Sequence, residues 1–196
     1  MNFKKTAMLI LLLEIAMVVF VSFEYGFTAD ALQVLSRYSG RLSLAVFSII
    51  FLMLPNQAAS LSRILSTRPF HVFALAHGIH LIILISYNFM TSNELNPIRL
   101  AGGFIVYAII FAMPAIHLRQ ESGSLSLPQF KIYLSLYLYI TWFAFFIYYL
   151  PRVQGKVIQV GGQYWEYVIL LSWICMMMGM KLPVIFFRPK TSDRNH

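Results

Sequence analysis

Apolar residues dominate this chain in six long runs separated by short polar connections. The runs extend over about 6–27, 42–61, 71–87, 102–117, 130–150 and 164–187. A helix needs roughly 20 apolar residues to cross the hydrocarbon of a bilayer, and each run approaches or reaches that length. Within a bilayer only helices and closed barrels satisfy every backbone polar group. The runs lack the two-residue alternation of barrel strands, so the pattern predicts an all-α, polytopic membrane protein: one domain over residues 1–196, built as a six-transmembrane-helix bundle.

The connections refine this layout. Lys4 and Lys5 precede the first run. A basic start and an apolar core also describe a secretory signal, with Ala29-Asp30-Ala31 as a possible cleavage site. The run exceeds the usual 7–15-residue signal core and contains Glu14, which favours a retained span. Asp30 and Arg37 are expected in a short loop, and Arg41 at the entry to the second span, where Pro55 is expected to kink the helix. Asn96-Pro97 reads as a turn. The stretch from Leu118 to Pro128 reads as a polar loop, and Pro151 to Gln163 as an external one. With both termini on the inner face, inner segments carry nine basic residues: Lys4, Lys5, Arg63, Arg68, Arg119, Lys131, Arg188, Lys190 and Arg194. Outer segments carry five: Arg37, Arg41, Arg99, Arg152 and Lys156. The positive-inside rule therefore places both termini in the cytoplasm and the protein in the cell inner membrane.

Composition agrees. Hydrophobic residues make up 59% of 196 residues and charged residues 11%, against roughly a quarter charged in soluble domains. The net charge of +8 comes from basic residues scattered singly in loops and tail, a pattern that suits orientation and anionic lipid better than nucleic acid. The single cysteine, Cys175, excludes an intrachain disulfide and any Cys-x-x-Cys site. No Gly-x-Gly-x-x-Gly or phosphate-binding loop is present, so no flavin or nicotinamide site is readable. Almost all of the length is used by the spans, and no soluble catalytic domain is left.

The third run carries the candidate chemistry: His71, His77 and His80, three of the five histidines. His77 and His80 are three residues apart and project about 60° apart around a helix. At 1.5 Å per residue, His77 lies about 10 Å and His80 about 15 Å into the span. Ionisable groups at that depth point to function, although hydrogen bonding between helices would also explain them. His117 falls at an interface, where a polar side chain is ordinary. Glu14 and Lys181 fall at similar depths, and a contact between them is expected because pairing relieves the cost of a lone charge. Met176, Met177, Met178 and Met180 face all round a helix and read as packing.

Several segments, in order, resemble the ferric reductase-like transmembrane family, which includes the haem cores of ferric reductases and NADPH oxidases and the membrane subunit of the bacterial methionine sulfoxide reductase system. They are Arg37-Tyr38-Ser39-Gly40-Arg41-Leu42-Ser43-Leu44, Arg68 before the third span, Ala74-Leu75-Ala76-His77-Gly78-Ile79-His80, and Gly123 leading into Phe130-Lys131-Ile132-Tyr133-Leu134. The resemblance covers nearly the whole chain. It implies a b-type haem between the third and fifth spans, membrane electron transfer, and a reductase or periplasmic oxidoreductase partner to supply or accept electrons. His80 matches the family ligand position best, with His77 as the nearby alternative, and Ala74 and Gly78 would let the macrocycle approach. The fifth span contains no histidine. Where the family has two, this chain has Gln129 or Phe130 and then Trp142, expected opposite His80 at about 16 Å depth. A bis-histidine haem across those spans is therefore excluded. A five-coordinate haem on His80, a pairing of His80 with His77 or His117, or no haem remain. Aromatic residues Tyr133, Tyr137, Tyr139, Trp142 and Phe143 would surround the porphyrin. The alternatives are a haem-free relative acting as scaffold or accessory subunit, and a proton-linked channel with Glu14, His77, His80 and Lys181 as a polar track.

Overall fold

The computed structural model describes residues 2–54, 57–91, 97–157 and 162–186. All of the secondary structure there is helical: α1 (Phe3–Tyr25), α2 (Ala29–Met53), α3 (Ala58–Ile64), α4 (Pro69–Thr91), α5 (Pro97–Glu121), α6 (Leu127–Val153) and α7 (Tyr164–Phe186). Five of them, α1, α2, α4, α5 (from Ala101) and α6, are long and apolar enough to cross a membrane. The chain is a multi-pass integral membrane protein. The sixth expected span coincides with α7, 23 residues long. The Pro55 kink, the turn at Asn96 and the basic tail at Arg188, Lys190 and Arg194 lie outside the described residues.

Local signals set the helix ends. The Asn2 side chain accepts from Lys4 N at 3.2 Å at the start of α1, and Gly26, at φ +67°, ends it. Thr28 caps α2 by accepting from Ala31 N at 3.2 Å, and Asp30 occupies its first turn, where the helix dipole favours negative charge. The segment carrying Asp30 and Arg37 is therefore the first three turns of α2, and the expected loop is absent. The span that was to run over 42–61 instead occupies 29–53, with α3 following as a separate short helix. The Leu118–Pro128 loop is also shorter than its polarity suggests, because α5 continues to Glu121 and α6 begins at Leu127. Gln129 fastens the start of α6: its side-chain oxygen accepts from the Ser126 N–H at 3.2 Å and from the Ser126 hydroxyl at 2.8 Å. Likewise Pro151 and Arg152 belong to the last turn of α6.

α2 is the hub. It packs on α1, α4, α6 and α7. Toward its C-terminus it contributes Phe47, Ile50 and Phe51 to a core completed by Phe70, Phe73 and Ala76 of α4, Tyr137 of α6, and Ile174 and Met177 of α7. Phe47 has ring neighbours in Phe51, Phe73, Tyr137 and Phe145 at 5.5–6.5 Å. Toward its N-terminus α2 presents Ser36, Ser39, Gly40 and Ser43, small residues of the kind that let helix backbones approach within a membrane. The opposite surfaces are apolar and exposed, including Leu12, Val19 and Phe23 of α1 and Phe104 of α5, as lipid contact requires.

Long-range polar contacts fix which ends lie together. Thr6 donates to the Leu65 carbonyl, and Lys181 to the Leu54 carbonyl, gathering the start of α1 with the ends of α2, α3 and α7. Glu166 meets Arg41, and Tyr164 donates to the Val153 carbonyl at 3.3 Å, gathering the start of α2, the end of α6 and the start of α7 at the distal end. The expected Glu14–Lys181 contact is not made. Glu14 accepts from the Ser39 hydroxyl at 2.8 Å, and Lys181 binds the carbonyl at the α2 C-terminus beside the Phe51 ring. The reason is packing order: α1 lies on α2 and α4, whereas α7 lies on α2 and α6. The two are also not level, against expectation: their partners Ser39 and Leu54 stand 15 residues apart on α2, about 22 Å of helix rise. The methionines behave as packing: Met177 is fully buried and Met176 and Met180 are exposed.

Candidate functional site

In the distal half, α2, α4, α5 and α6 surround a cavity of about 670 Å³ that also reaches Tyr167 of α7. That volume lies within the range of about 300–1,000 Å³ common for ligand pockets. His77 and His80 both line it, together with Gly40, Tyr107, Thr141 and Phe145. The two histidines are 8% and 7% exposed, and each has an Nδ1 atom with no hydrogen-bond partner. Neither is an interfacial anchor; His80 is held by the neighbouring α2 backbone at Ser36, and the Nδ1 atoms of both, like those of His71 and His117, have no hydrogen-bond partner.

Each ring has a defined seat. His77 stacks on Phe73 at 5.2 Å and on Tyr107 of α5 at 4.9 Å, with the edge of Phe145 at 5.9 Å. His80 lies 5.4 Å from His77 and against α2, its ring interacting with the Ser36 backbone carbonyl. A Cβ at Gly40 would stand 3.1 Å from His80 Cε1. Glycine at that position therefore allows the imidazole to lie against the α2 backbone. A carbonyl holding one nitrogen of a histidine while the other stays free is the usual arrangement around metal-binding histidines.

The opposite wall differs from the expected one. Trp142 does not face His80; its indole N–H donates to the Ile174 carbonyl of α7 at 2.9 Å and its ring stacks on Phe146. The residues of α6 that reach the cavity include Thr141, Ala144, Phe145, Tyr148, Tyr149 and Arg152, a helical face rotated from Trp142. Gly78 also points elsewhere, toward the Phe111 ring of α5 at 3.5 Å. Tyr137 is buried in the core beside Phe47 and Phe73, and Tyr133, Tyr139 and Phe143 are 44%, 38% and 53% exposed on the outer surface of α6. Only neighbours of the expected aromatic set surround the cavity.

The remaining polar residues are not gathered there. His117 packs between Phe70 at 5.0 Å and Phe130 at 5.9 Å, on a smaller cavity of about 210 Å³ at the other end of the bundle. It cannot join His80 on one ligand. His71 lies against Phe3. Glu14 is held between α1 and α2 and Lys181 beside Leu54, so the polar track of Glu14, His77, His80 and Lys181 does not share one cavity. Among the described residues no group of three or more His, Cys, Asp or Glu side chains converges as a metal site.

The distal mouth holds residues that the linear pattern assigned to loops: Arg37, Arg41 and Arg152. Arg41 meets Glu166 through Nη2 at 2.8 Å, with a second contact at 3.4 Å. Glu166 also accepts from Gln163 N at 3.0 Å, ordering the entry to α7. Arg152 lies 3.6 Å over the Tyr148 ring and donates to the Tyr148 carbonyl. The spacing of Ser36, Ser39, Gly40 and Ser43 at i, i+3, i+4 and i+7 was the available signal that α2 begins early and brings Arg37 and Arg41 onto a helix.

No family model, curated protein or solved structure matches this chain.

Proposed function

We propose that this protein is a membrane subunit of the ferric reductase-like type whose distal cavity binds a b-type haem, with His80 as the axial ligand and His77 as the alternative. The observation that carries this reading is the pair of buried histidines on one wall of a large, mainly apolar cavity. Neutral imidazole nitrogen is a common ligand of haem iron, and the supporting carbonyl at Ser36 suits such a ligand. The residues present fit one axial position. Thr141 and Phe145 on the facing wall would supply no second nitrogen or sulfur ligand, so His80 would hold a haem without a histidine partner from α6. Bound haem supplies one-electron redox chemistry; the chain's own residues hold and orient it, and the aromatic walls exclude water. A reductase partner would deliver electrons, since no flavin or nicotinamide site is readable in this chain.

A second reading, a haem-free scaffold or accessory subunit, is favoured by one observation: His77 is packed among Phe73, Tyr107 and Phe145, whose rings lie 4.9–5.9 Å from it. Optical spectra of the detergent-purified protein, oxidised and dithionite-reduced, separate the two. The haem reading expects a Soret band of high-spin, five-coordinate type that shifts on reduction. It disappears in His80→Ala and persists, altered, in His77→Ala. A colourless protein after expression with added haem eliminates this reading and leaves the scaffold.

A further inference from the structure

Among the described residues, the distal mouth of the cavity carries more arginines than carboxylates. Arg37, Arg41 and Arg152 line it, and Glu166 pairs with Arg41. That carboxylate is bound to Arg41 and lies within electrostatic reach of Arg37. The Nε atoms of Arg37 and Arg152 are buried and without a hydrogen-bond partner. A guanidinium stays charged and offers five donors with no acceptor, and buried unpaired donors are costly. The backbone closes over this cluster at Gly162, whose φ of +81° suits glycine. A Cβ there would stand 2.6 Å from Arg37 Nη1 and 2.9 Å from Glu166 Oε2. The Arg37 guanidinium is thus confined by the chain beside a carboxylate that is already paired with Arg41.

Beneath the cations, the same cavity is walled by Tyr107, Ala144 and Phe145 and ends at His77 and His80. An occupant that matches both regions is an amphiphile: apolar in its body, anionic at its distal end. Arginine binds carboxylates and phosphates through paired, charge-assisted hydrogen bonds. We propose that the occupant of this cavity carries an anionic oxygen group, carboxylate or phosphate, that docks on Arg37 and Arg152. This rests on the reading of the cavity as a ligand site and does not depend on iron coordination.

The test uses the full chain in phosphatidylcholine nanodiscs, titrated by fluorescence with metal-free protoporphyrin IX, a dicarboxylic acid, and with its dimethyl ester. The expected result is binding of the diacid at least about tenfold tighter than the diester, the size of one charge-assisted hydrogen bond. In R37Q/R152Q that preference vanishes while diester affinity is unchanged; R37K/R152K restores part of it. Because the probe has no iron, its binding is read apart from haem ligation, which separates this proposal from the haem reading. Repeating the titration with phosphatidylglycerol in the discs distinguishes the source of the anion. Arginine-dependent competition identifies a lipid headgroup, and its absence identifies the acid of a free amphiphile. Equal affinity for diacid and diester in the wild type, equal loss of both in R37Q/R152Q, or failure of either porphyrin to bind overturns the proposal.

Discussion

Lys181 illustrates how a charged side chain can be settled inside an apolar bundle without an opposite charge. Its ammonium donates to the Leu54 carbonyl at the end of α2, with the Phe51 ring beside it. The last carbonyls of a helix lack intrahelical partners and carry partial negative charge, so a cation at that point satisfies a backbone acceptor and completes the α2 end. Lys181→Met leaves the Leu54 carbonyl buried and unpaired, and is expected to cost about 1–3 kcal/mol. The measurement is the thermal unfolding midpoint in detergent, beside Glu14→Gln, which can keep the Ser39 contact and is expected to change the midpoint far less. Equal losses would show that the two residues are coupled after all. At this scale the sequence showed that His77, His80, Glu14 and Lys181 were unusual. It did not show their partners, because partner choice follows from which helices touch.

At the scale of elements, α2 gathers the determinants. Its C-terminal half is aromatic and forms the core; its N-terminal half is small and polar, which lets α4 approach and seats His80 over Gly40. The Arg41–Glu166 contact ties this half of α2 to the first turn of α7. Both side chains are about a quarter exposed, so the pair is screened and modest in strength. A double-mutant cycle of Arg41→Gln and Glu166→Gln on unfolding is expected to give a coupling of about 0.5–1 kcal/mol, reduced by high salt. A coupling near zero at low salt would mean that Gln163 and the loop, not the ion pair, hold α7 in place. The α2 boundary was the main element misread from sequence. Arg37 and Arg41 lower the local hydropathy enough to resemble a loop, while the Thr28 cap, Asp30 and the Ser/Gly spacing carry the helical signal.

At the scale of the molecule, the cavity lies in the half distant from Thr6, Leu65 and Lys181, and the excess cations lie at its mouth. If the termini are cytoplasmic, as the distribution of Lys and Arg implies, that mouth faces outward. Single cysteines in a Cys175→Ser background report this directly. In intact cells, a membrane-impermeant maleimide is expected to label Lys156→Cys, beyond α6, and to spare Ser124→Cys, between α5 and α6, until the membrane is opened. The reverse pattern would invert the orientation and place the cavity mouth on the cytoplasmic side.

The sequence by itself determined the membrane setting, the all-helical class and the presence of several long apolar helices, because these depend on the length and polarity of contiguous residues and on the absence of water in the bilayer core. It also marked the third span as the one bearing buried histidines. Only the tertiary structure decided that Trp142 turns toward Ile174, that Glu14 finds Ser39 while Lys181 finds Leu54, and that Arg37, Arg41 and Arg152 join His77 and His80 around one cavity. Depth along a span can be counted from the chain, at a fixed rise per residue. The direction a side chain faces, and which helix lies there to meet it, depend on how all the helices pack together.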